Sequence, residues 1–452
     1  MARSLPPGPS DPPVWNLVRL SSDPLGFATE LGRTYGAISS LEVPGARIWF
    51  LNDPELVKEL LVVKQRSFLK DGGIRVAKKL LGEGLLSSEG DFHKRQRRLA
   101  QPAFHKERIA SYGAKMVEWS LRAQERWRSG LTVDAAREMN RLTLGIVGST
   151  LFGTDVDAEA SEIGQAITDA LEMFSVGRLG FARILERMPF PGTLRLHAAR
   201  ERLDRTVYRM IEERRRSGDD RGDLLSMLIL ATDSEGDGTG MSDVQLRDEA
   251  MTIFLAGHET TANALAWTWY LLSRNPAAEA KLHAEIDAVL GDRPPAMEDV
   301  KRLPYAEHVV AESMRLFPPA WGIGRQAAED VEVAGYQVLA GEACFVSQWV
   351  LHRDQRFFPD PLRFDPDRWE PEIAATRPKF AYFPFGAGSR ICIGESFAWM
   401  EAILILATLA QGWRLRLVPN QRITPQPRIT LRPSPGIRMT LERRERELRR
   451  AA

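Results

Sequence analysis

The pattern of apolar and polar positions changes character twice along the chain. Between residues 33 and 51 the apolar residues Ile38, Leu41, Val43, Ile48, Trp49 and Phe50 flank Pro44-Gly45, which predicts a β-hairpin. Ahead of it, residues 1–13 are rich in proline and predict an extended arm. Beyond the hairpin the spacing is helical. Asp53-Pro54 opens one helix, and residues 106–128 and 160–174 predict two more. Residues 214–223 carry mixed charges and predict a solvated loop. After Pro318 short strands are expected at 331–338, 343–348 and 429–431. No repeat or low-complexity linker divides the sequence. The expectation is one mainly α-helical unit over 1–452 with small β-sheets at its edges.

One predicted helix is unusually long. Ser242 and Gln245 form a capping-box pattern, and Asn275-Pro276 is a stop. About 32 residues at 1.5 Å each span about 48 Å, against a mean helix of about 11–12 residues. Its middle reads Phe254-Leu255-Ala256-Gly257-His258-Glu259-Thr260-Thr261. A glycine, a carboxylate and two hydroxyls stand where a buried helix should be apolar. Thr260 can donate back to the Ala256 carbonyl and bend the helix. A zinc-protease reading of His258-Glu259 needs a second His at i+4, where this chain has Ala262.

Composition narrows the choice of function. Lys and Arg total 61 against 60 Asp and Glu, a net charge of +1, without the basic excess of a nucleic-acid coat. Two cysteines, Cys344 and Cys392, exclude a disulfide scaffold and any four-cysteine metal site. No stretch reaches the roughly 18 apolar residues of a membrane span, and the N-terminus lacks a signal-peptide core. A cytoplasmic protein with no membrane anchor is expected.

The segment that carries chemistry is Phe385-Gly386-Ala387-Gly388-Ser389-Arg390-Ile391-Cys392-Ile393-Gly394, followed by an apolar helical run. Three glycines allow tight turns and close approach by another group. Cys392 precedes a helix N-terminus, where free N–H groups favour a thiolate. Arg390 can bind an anion, and Phe385 can shield the sulfur from water. This loop resembles the haem-binding signature of the cytochrome P450 superfamily at every specified position. Ala256-Gly257-His258-Glu259-Thr260-Thr261 is similar to that family's oxygen-activation motif. Glu312-Ser313-Met314-Arg315 is similar to its Glu-x-x-Arg motif, and the segment 364–369 with Arg368 to the element that completes that network.

The resemblance implies a soluble, prokaryotic-type P450 fold, with haem b between the long helix and the helix after the cysteine loop. Cys392 would ligate iron, with Phe385, Gly386, Gly394 and Ala256 around the haem. Arg390, Arg325, His93 and Arg97 would hold the propionates. His93 replaces a Trp common in relatives, and a plain surface histidine is the alternative. Glu312, Arg315 and Arg368 would be structural. Thr260 would hydrogen-bond oxygen, Glu259 would relay protons, and Gly257 would leave room for oxygen. Leu255, Ala256, Ala320, Trp321, Ile323 and Ile429 would line an apolar pocket, with variable segments near 70–88 and 172–192. Cys344 would be core. The basic residues Lys94, Arg95, Arg98 and Lys106 would form a solvated face, able to dock an acidic electron donor.

The implied activity is monooxygenation of a hydrophobic small molecule by O2, in a monomer supplied by a separate ferredoxin or flavodoxin and its reductase. A peroxide-driven peroxygenase would be expected to lack the Glu259–Thr260 pair. A haem sensor or electron carrier would need neither a proton relay nor an apolar pocket.

Overall fold

The computed structural model describes residues 4–153, 191–233, 235, 236 and 238–445. The helix expected at 160–174 and the segment 172–190 lie outside these residues. The central helix runs Asp243–Arg274, 32 residues. Ser242 Oγ accepts from the Gln245 N–H at 3.3 Å, and Gln245 Oε1 accepts from the Ser242 N–H at 2.8 Å. Asn275 ends it, and Pro276 starts the next helix at once.

This helix is covered on several sides, which is why its apolar residues are not confined to one stripe. The helices Ala135–Phe152, Pro304–Leu316 and Glu395–Gly412 all pack on it. The approach of Ala135–Phe152 is close. A Cβ on Gly257 would lie 3.2 Å from Val147 Cγ2, and Thr143 Oγ1 donates to the His258 carbonyl at 2.9 Å. Gly257 thus also eases this close packing of two helices. The largest apolar cluster gathers residues from Ile109 to Leu441 around the central helix and Glu395–Gly412.

The main sheet has five strands in the order Ile38–Val43, Ala46–Leu51, Ala343–Val346, Ile323–Ala327, Phe68–Lys70. The first pair is the hairpin around Pro44-Gly45, with Gly45 at φ 77°. Ala46–Leu51 pairs in parallel with Ala343–Val346, and the remaining pairs are antiparallel. The sheet therefore joins the N-terminal hairpin to a strand nearly 300 residues later. Its far edge sets Lys70 opposite Arg325.

Local expectations shift in places. The proline arm is non-helical through Pro12, and Pro13 is already the first residue of helix Pro13–Ser22, as suits a residue with no N–H to leave unpaired. The helix from Lys106 ends at Gln124, not 128. The expected strand at 429–431 begins only at Leu431; Leu431–Ser434 pairs with Thr424–Pro427, and Ile429 lies in their connection. Residues 215–222 are largely exposed, but the two ends of the expected loop are not. The helix Pro191–Ser217 runs into them, and buried Arg214 makes a two-pronged ion pair with Asp223 at 2.7 and 2.8 Å. No described helix is long and apolar enough to cross a membrane.

Candidate functional site

The cysteine loop is a tight coil held from its neighbours. Gly386 and Gly388 adopt φ of 77° and 73°, which favours glycine. A Cβ on Gly388 would fall 2.0 Å from the Leu61 carbonyl oxygen, so this glycine is also dictated by close packing. The Cys392 N–H donates to the Phe385 carbonyl at 3.0 Å, closing the loop. Gly394 then begins helix Glu395–Gly412. Cys392 is accessible although protein surrounds it closely. Burial pushes its thiol above the usual value, outweighing the Gly394 N–H and the Arg97 charge. The helix start alone does not make a thiolate here. A coordinated metal would, since it deprotonates a thiol outright.

Beside this loop stands a concentration of cations. Lys70 and Arg325 face each other across the sheet, 5% and 7% exposed. Like charges directly opposite are destabilising, and burial makes them more so. Arg97 Nη1 donates to the Ile391 carbonyl at 2.7 Å, tying helix Gly90–Ala100 to the cysteine loop. Arg390 donates to Phe68 O at 2.9 Å and to Glu89 at 2.6 Å. Among the described residues, neither Arg97 nor Arg325 has a carboxylate within ion-pair distance. Burial, then Arg390, lowers Arg325 to about 10, and burial with Arg390 and Arg325 lowers Lys70 to about 7 against the pull of Glu89.

His93 is buried, not a surface histidine. Its Nδ1 lies 3.2 Å from Ser88 Oγ, and its Nε2 is a buried polar atom with no partner. Burial and then the charges of Lys70, Arg390 and Arg97 drop it to about 3, so the ring is neutral and can donate one hydrogen bond. Buried like charges and an orphaned ring nitrogen fit a group bearing two carboxylates, with Cys392 ready for its metal. Haem b is such a group. Lys70 was missed in the sequence, although period-two spacing from Phe68 puts both on one face. Arg390 is already engaged by Glu89, so its part in holding an anion is shared with that ion pair.

On the central helix, Ala256 and Thr260 are accessible between fully buried turns. They are four residues apart and hence on one face. Thr260 Oγ1 donates to the Ala256 carbonyl at 2.8 Å. Glu259 is turned elsewhere: its Oε1 accepts from Arg432 Nε at 2.6 Å and from the Thr430 hydroxyl. Burial raises this carboxyl, but Arg432 and Thr430 together outweigh burial and hold it below its usual range. No sequence signal pointed to Arg432.

Glu312, Arg315 and Arg368 meet in the interior. Arg315 donates to Glu312 at 2.8 Å through both Nε and Nη2, and Arg368 Nε donates at 2.9 Å. Trp369 Nε1 and the Asp365 N–H each add a bond at 3.0 Å. Arg315 also donates to the His352 carbonyl at 2.7 Å. Burial, with the Arg315 and Arg353 charges, keeps the His352 ring neutral, so its Nε2 can accept from the Phe383 N–H at 3.0 Å. Phe383 O in turn accepts from the Gly386 N–H. The network thus reaches the cysteine loop by an unbroken chain of bonds.

The expected pocket residues divide. Ala256 is accessible and Ala320 and Ile323 are partly so. Leu255 is buried against the cluster around Leu81 and Leu246. Trp321 is core, packed with Leu25 and Leu431, and its indole donates to Arg428 O. Ile429 is 47% exposed. Lys94 pairs with Asp91 on the surface, but Arg95 and Arg98 are tied to buried Asp233, so the basic face is less free than its charge suggests.

Glu401, on helix Glu395–Gly412, is fully buried and neither oxygen has a well-formed hydrogen bond. Burial, only partly offset by the Thr261 hydroxyl, pushes it up to about 8. A raised carboxyl contributes stability that is intact below its unfolded value and is lost as pH rises to the folded one. Glu401→Gln should therefore gain stability relative to the parent between pH about 4.5 and 8, by on the order of a few kcal/mol. Thermal unfolding across that range checks it; a difference that does not vary with pH would count against a protonated Glu401.

Comparison with known proteins agrees with this arrangement. The cytochrome P450 family model matches residues 6–441. The chain is 41% identical to "Cyclooctatin synthase" of Streptomyces melanosporofaciens over 94% of its length and 92% of the relative's. It is 40% identical to "Cyclooctat-9-en-7-ol 5-monooxygenase" of the same organism, covering 91% and 89%. "Pentalenene oxygenase" of Streptomyces avermitilis is 33% identical, covering 91% and 90%. The solved structure of a cytochrome P450DA haem domain superposes with a TM-score of 0.87 at 28% identity, over 99% of both chains. With a mainly α-helical body, small sheets and Cys392 on its glycine loop, the chain belongs to the cytochrome P450 family.

Proposed function

We propose that the chain is a haem-thiolate monooxygenase that inserts one atom of O2 into a hydrophobic, terpenoid-type substrate. The observation that carries the reading is the accessible Cys392 beside the buried cations Lys70 and Arg325, the half-buried Arg97 and the orphaned His93 Nε2. Cys392 would hold the haem iron, and those four side chains with Arg390 would hold its carboxylates. When bound, the haem supplies the oxidising chemistry that places one oxygen atom in substrate and the other in water, using two electrons and two protons. The electrons would come from a separate ferredoxin or flavodoxin with its reductase. Two relatives are named as oxygenases of pentalenene and of cyclooctat-9-en-7-ol, which favours a hydrocarbon or mono-alcohol over a charged substrate.

The residues of the chain handle water and protons. Ala256 and Ile323 give the site apolar surface that excludes bulk water. Thr260 rests its hydroxyl on the Ala256 carbonyl and can rotate to a new partner on the accessible face of the helix. Glu259 lies one residue away, held by Arg432 and Thr430, and would relay protons from solvent once released. Thr260→Ala should keep the haem, its thiolate spectrum and substrate binding, yet divert NADPH electrons into hydrogen peroxide. Glu259→Gln should slow turnover instead, because proton supply falls while the hydrogen-bonded shape survives. Product and peroxide per NADPH, measured with a terpene hydrocarbon lacking a hydroxyl of its own, decide the matter. Unchanged coupling in Thr260→Ala would remove Thr260 from the proton path.

A further inference from the structure

Glu259 belongs to the central helix, but the groups that bind it belong to the C-terminal hairpin. Its Oε1 accepts from Arg432 Nε at 2.6 Å and from the Thr430 hydroxyl. Thr430 Oγ1 accepts in turn from Asn263 Nδ2 at 3.1 Å, and Trp267 Nε1 donates to the Leu431 carbonyl at 3.1 Å. Glu259, Asn263 and Trp267 are spaced i, i+4 and i+8, one stripe of the helix, and the hairpin edge 430–432 is laid along it. The Glu259 side chain is 5% exposed and that of Arg432 24%. Arg432 is therefore the member of the pair that reaches water.

The acid and the neighbouring alcohol point to different partners. Thr260 donates to the Ala256 carbonyl, while Glu259 is clasped by the hairpin. Three other titratable groups or hydroxyls bear on this turn. His258, on the same helix, is buried and neutral, its Nδ1 against the Phe254 carbonyl at 2.9 Å. Thr430 is uncharged, and Glu401 lies beyond Thr261 on the helix after the cysteine loop, protonated by burial. Arg432 is thus the cation that sets the state of Glu259. A carboxylate held in a buried ion pair is a poor carrier of protons until that pair opens, because the guanidinium favours the ionised form.

We propose that Arg432 is the positioning residue for proton delivery: it parks Glu259 on the C-terminal hairpin, and opening of this pair lets the acid carry protons from the Arg432 side toward Thr260. This rests on Glu259 and Thr260 being the proton-handling pair. In each cycle the Glu259 carboxylate takes one proton from water at the hairpin, gives it up on the Thr260 side and returns to Arg432 as the carboxylate. Arg432 stays protonated throughout.

Two measurements on the haem-loaded protein test it. The first is thermal unfolding of the ferric, substrate-free form from pH 4 to 9 in Glu259→Gln, Arg432→Gln and the double variant. With Arg432 present the Glu259 carboxyl is depressed, so its contribution is intact above the unfolded value and is lost as pH falls. Glu259→Gln should then lower the unfolding temperature most at neutral pH. Without Arg432, burial is opposed only by the Thr430 hydroxyl and His258, so the depression should shrink and Glu259→Gln should lose that neutral-pH penalty. Equal pH slopes in the two backgrounds overturn the proposal.

The second is NADPH oxidation without substrate, using a surrogate ferredoxin and reductase, followed from pH 6 to 9. Arg432→Gln should oxidise NADPH several-fold faster at neutral pH and show an alkaline limb absent from the parent. Arg432→Lys should return the profile most of the way. A parent-like profile in Arg432→Gln overturns the proposal; if Thr260→Ala still uncouples turnover, the monooxygenase reading stands without it. If neither Thr260→Ala nor Glu259→Gln changes coupling, the pair on which the proposal rests falls as well.

Discussion

Glu312→Ala is expected to yield little haem-loaded protein. The Glu312 carboxylate accepts from Arg315, Arg368, the Trp369 indole and the Asp365 N–H. Arg315 and Glu312 are wholly buried. Removing the acceptor strands two guanidinium groups where water cannot replace it, and breaking a buried pair in this way costs about 3–5 kcal/mol. Domains are stable by only about 5–15 kcal/mol, so much of the margin would go. The damage should also spread to the cysteine loop, since Arg315 bonds the His352 carbonyl and the His352 ring bonds Phe383. Glu312→Gln keeps an acceptor oxygen and should lose less. Haem-to-protein ratio and unfolding temperature measure both effects. A fully loaded Glu312→Ala protein with parental stability would mean that the guanidinium groups find other partners.

What the sequence made legible is what short-range rules govern. The capping box at Ser242, the turn at Pro44-Gly45 and the glycine loop before Cys392 each lie within a few residues, and each is in place. The cysteine loop was legible because three glycines, an arginine and a thiol in ten residues have few other uses. The unread parts depend on partners distant in sequence. Lys70 gains meaning only from Arg325 across the sheet. Residues 214–223 read as solvated throughout because the ion pair that buries their two ends forms only when the chain doubles back from Arg214 to Asp223. Gly257 was given a chemical reason alone, whereas a Cβ there would also crowd Val147, on a helix about 110 residues earlier. Glu259 was read together with Thr260 because they adjoin, but adjacent residues on a helix point about 100° apart, and the acid's partner is Arg432.

The two cysteines should separate completely when each is replaced. Cys344 is fully buried in the main sheet, its register neighbours Trp49 and Arg325. Burial, reinforced by Glu342 and Glu59, pushes its thiol up to about 12, so it is a small packing residue that stays protonated. Cys392 is accessible, and the Gly394 N–H and Arg97 favour its ionised form although burial opposes them. A metal that binds the sulfur would tip that balance, because coordination replaces the proton. Cys392→Ala should therefore lose the thiolate-type absorption of the reduced carbon monoxide complex and retain haem poorly, while Lys70, Arg325 and Arg97 remain to hold its carboxylates. Cys344→Ala should keep that absorption and show only the modest destabilisation of a small cavity. Absorption spectra of the reduced carbon monoxide complexes and haem content decide between them. The thiolate band surviving in Cys392→Ala and vanishing in Cys344→Ala would move the ligand to the sheet, where a fully buried thiol beside Trp49 has no accessible face to offer a metal.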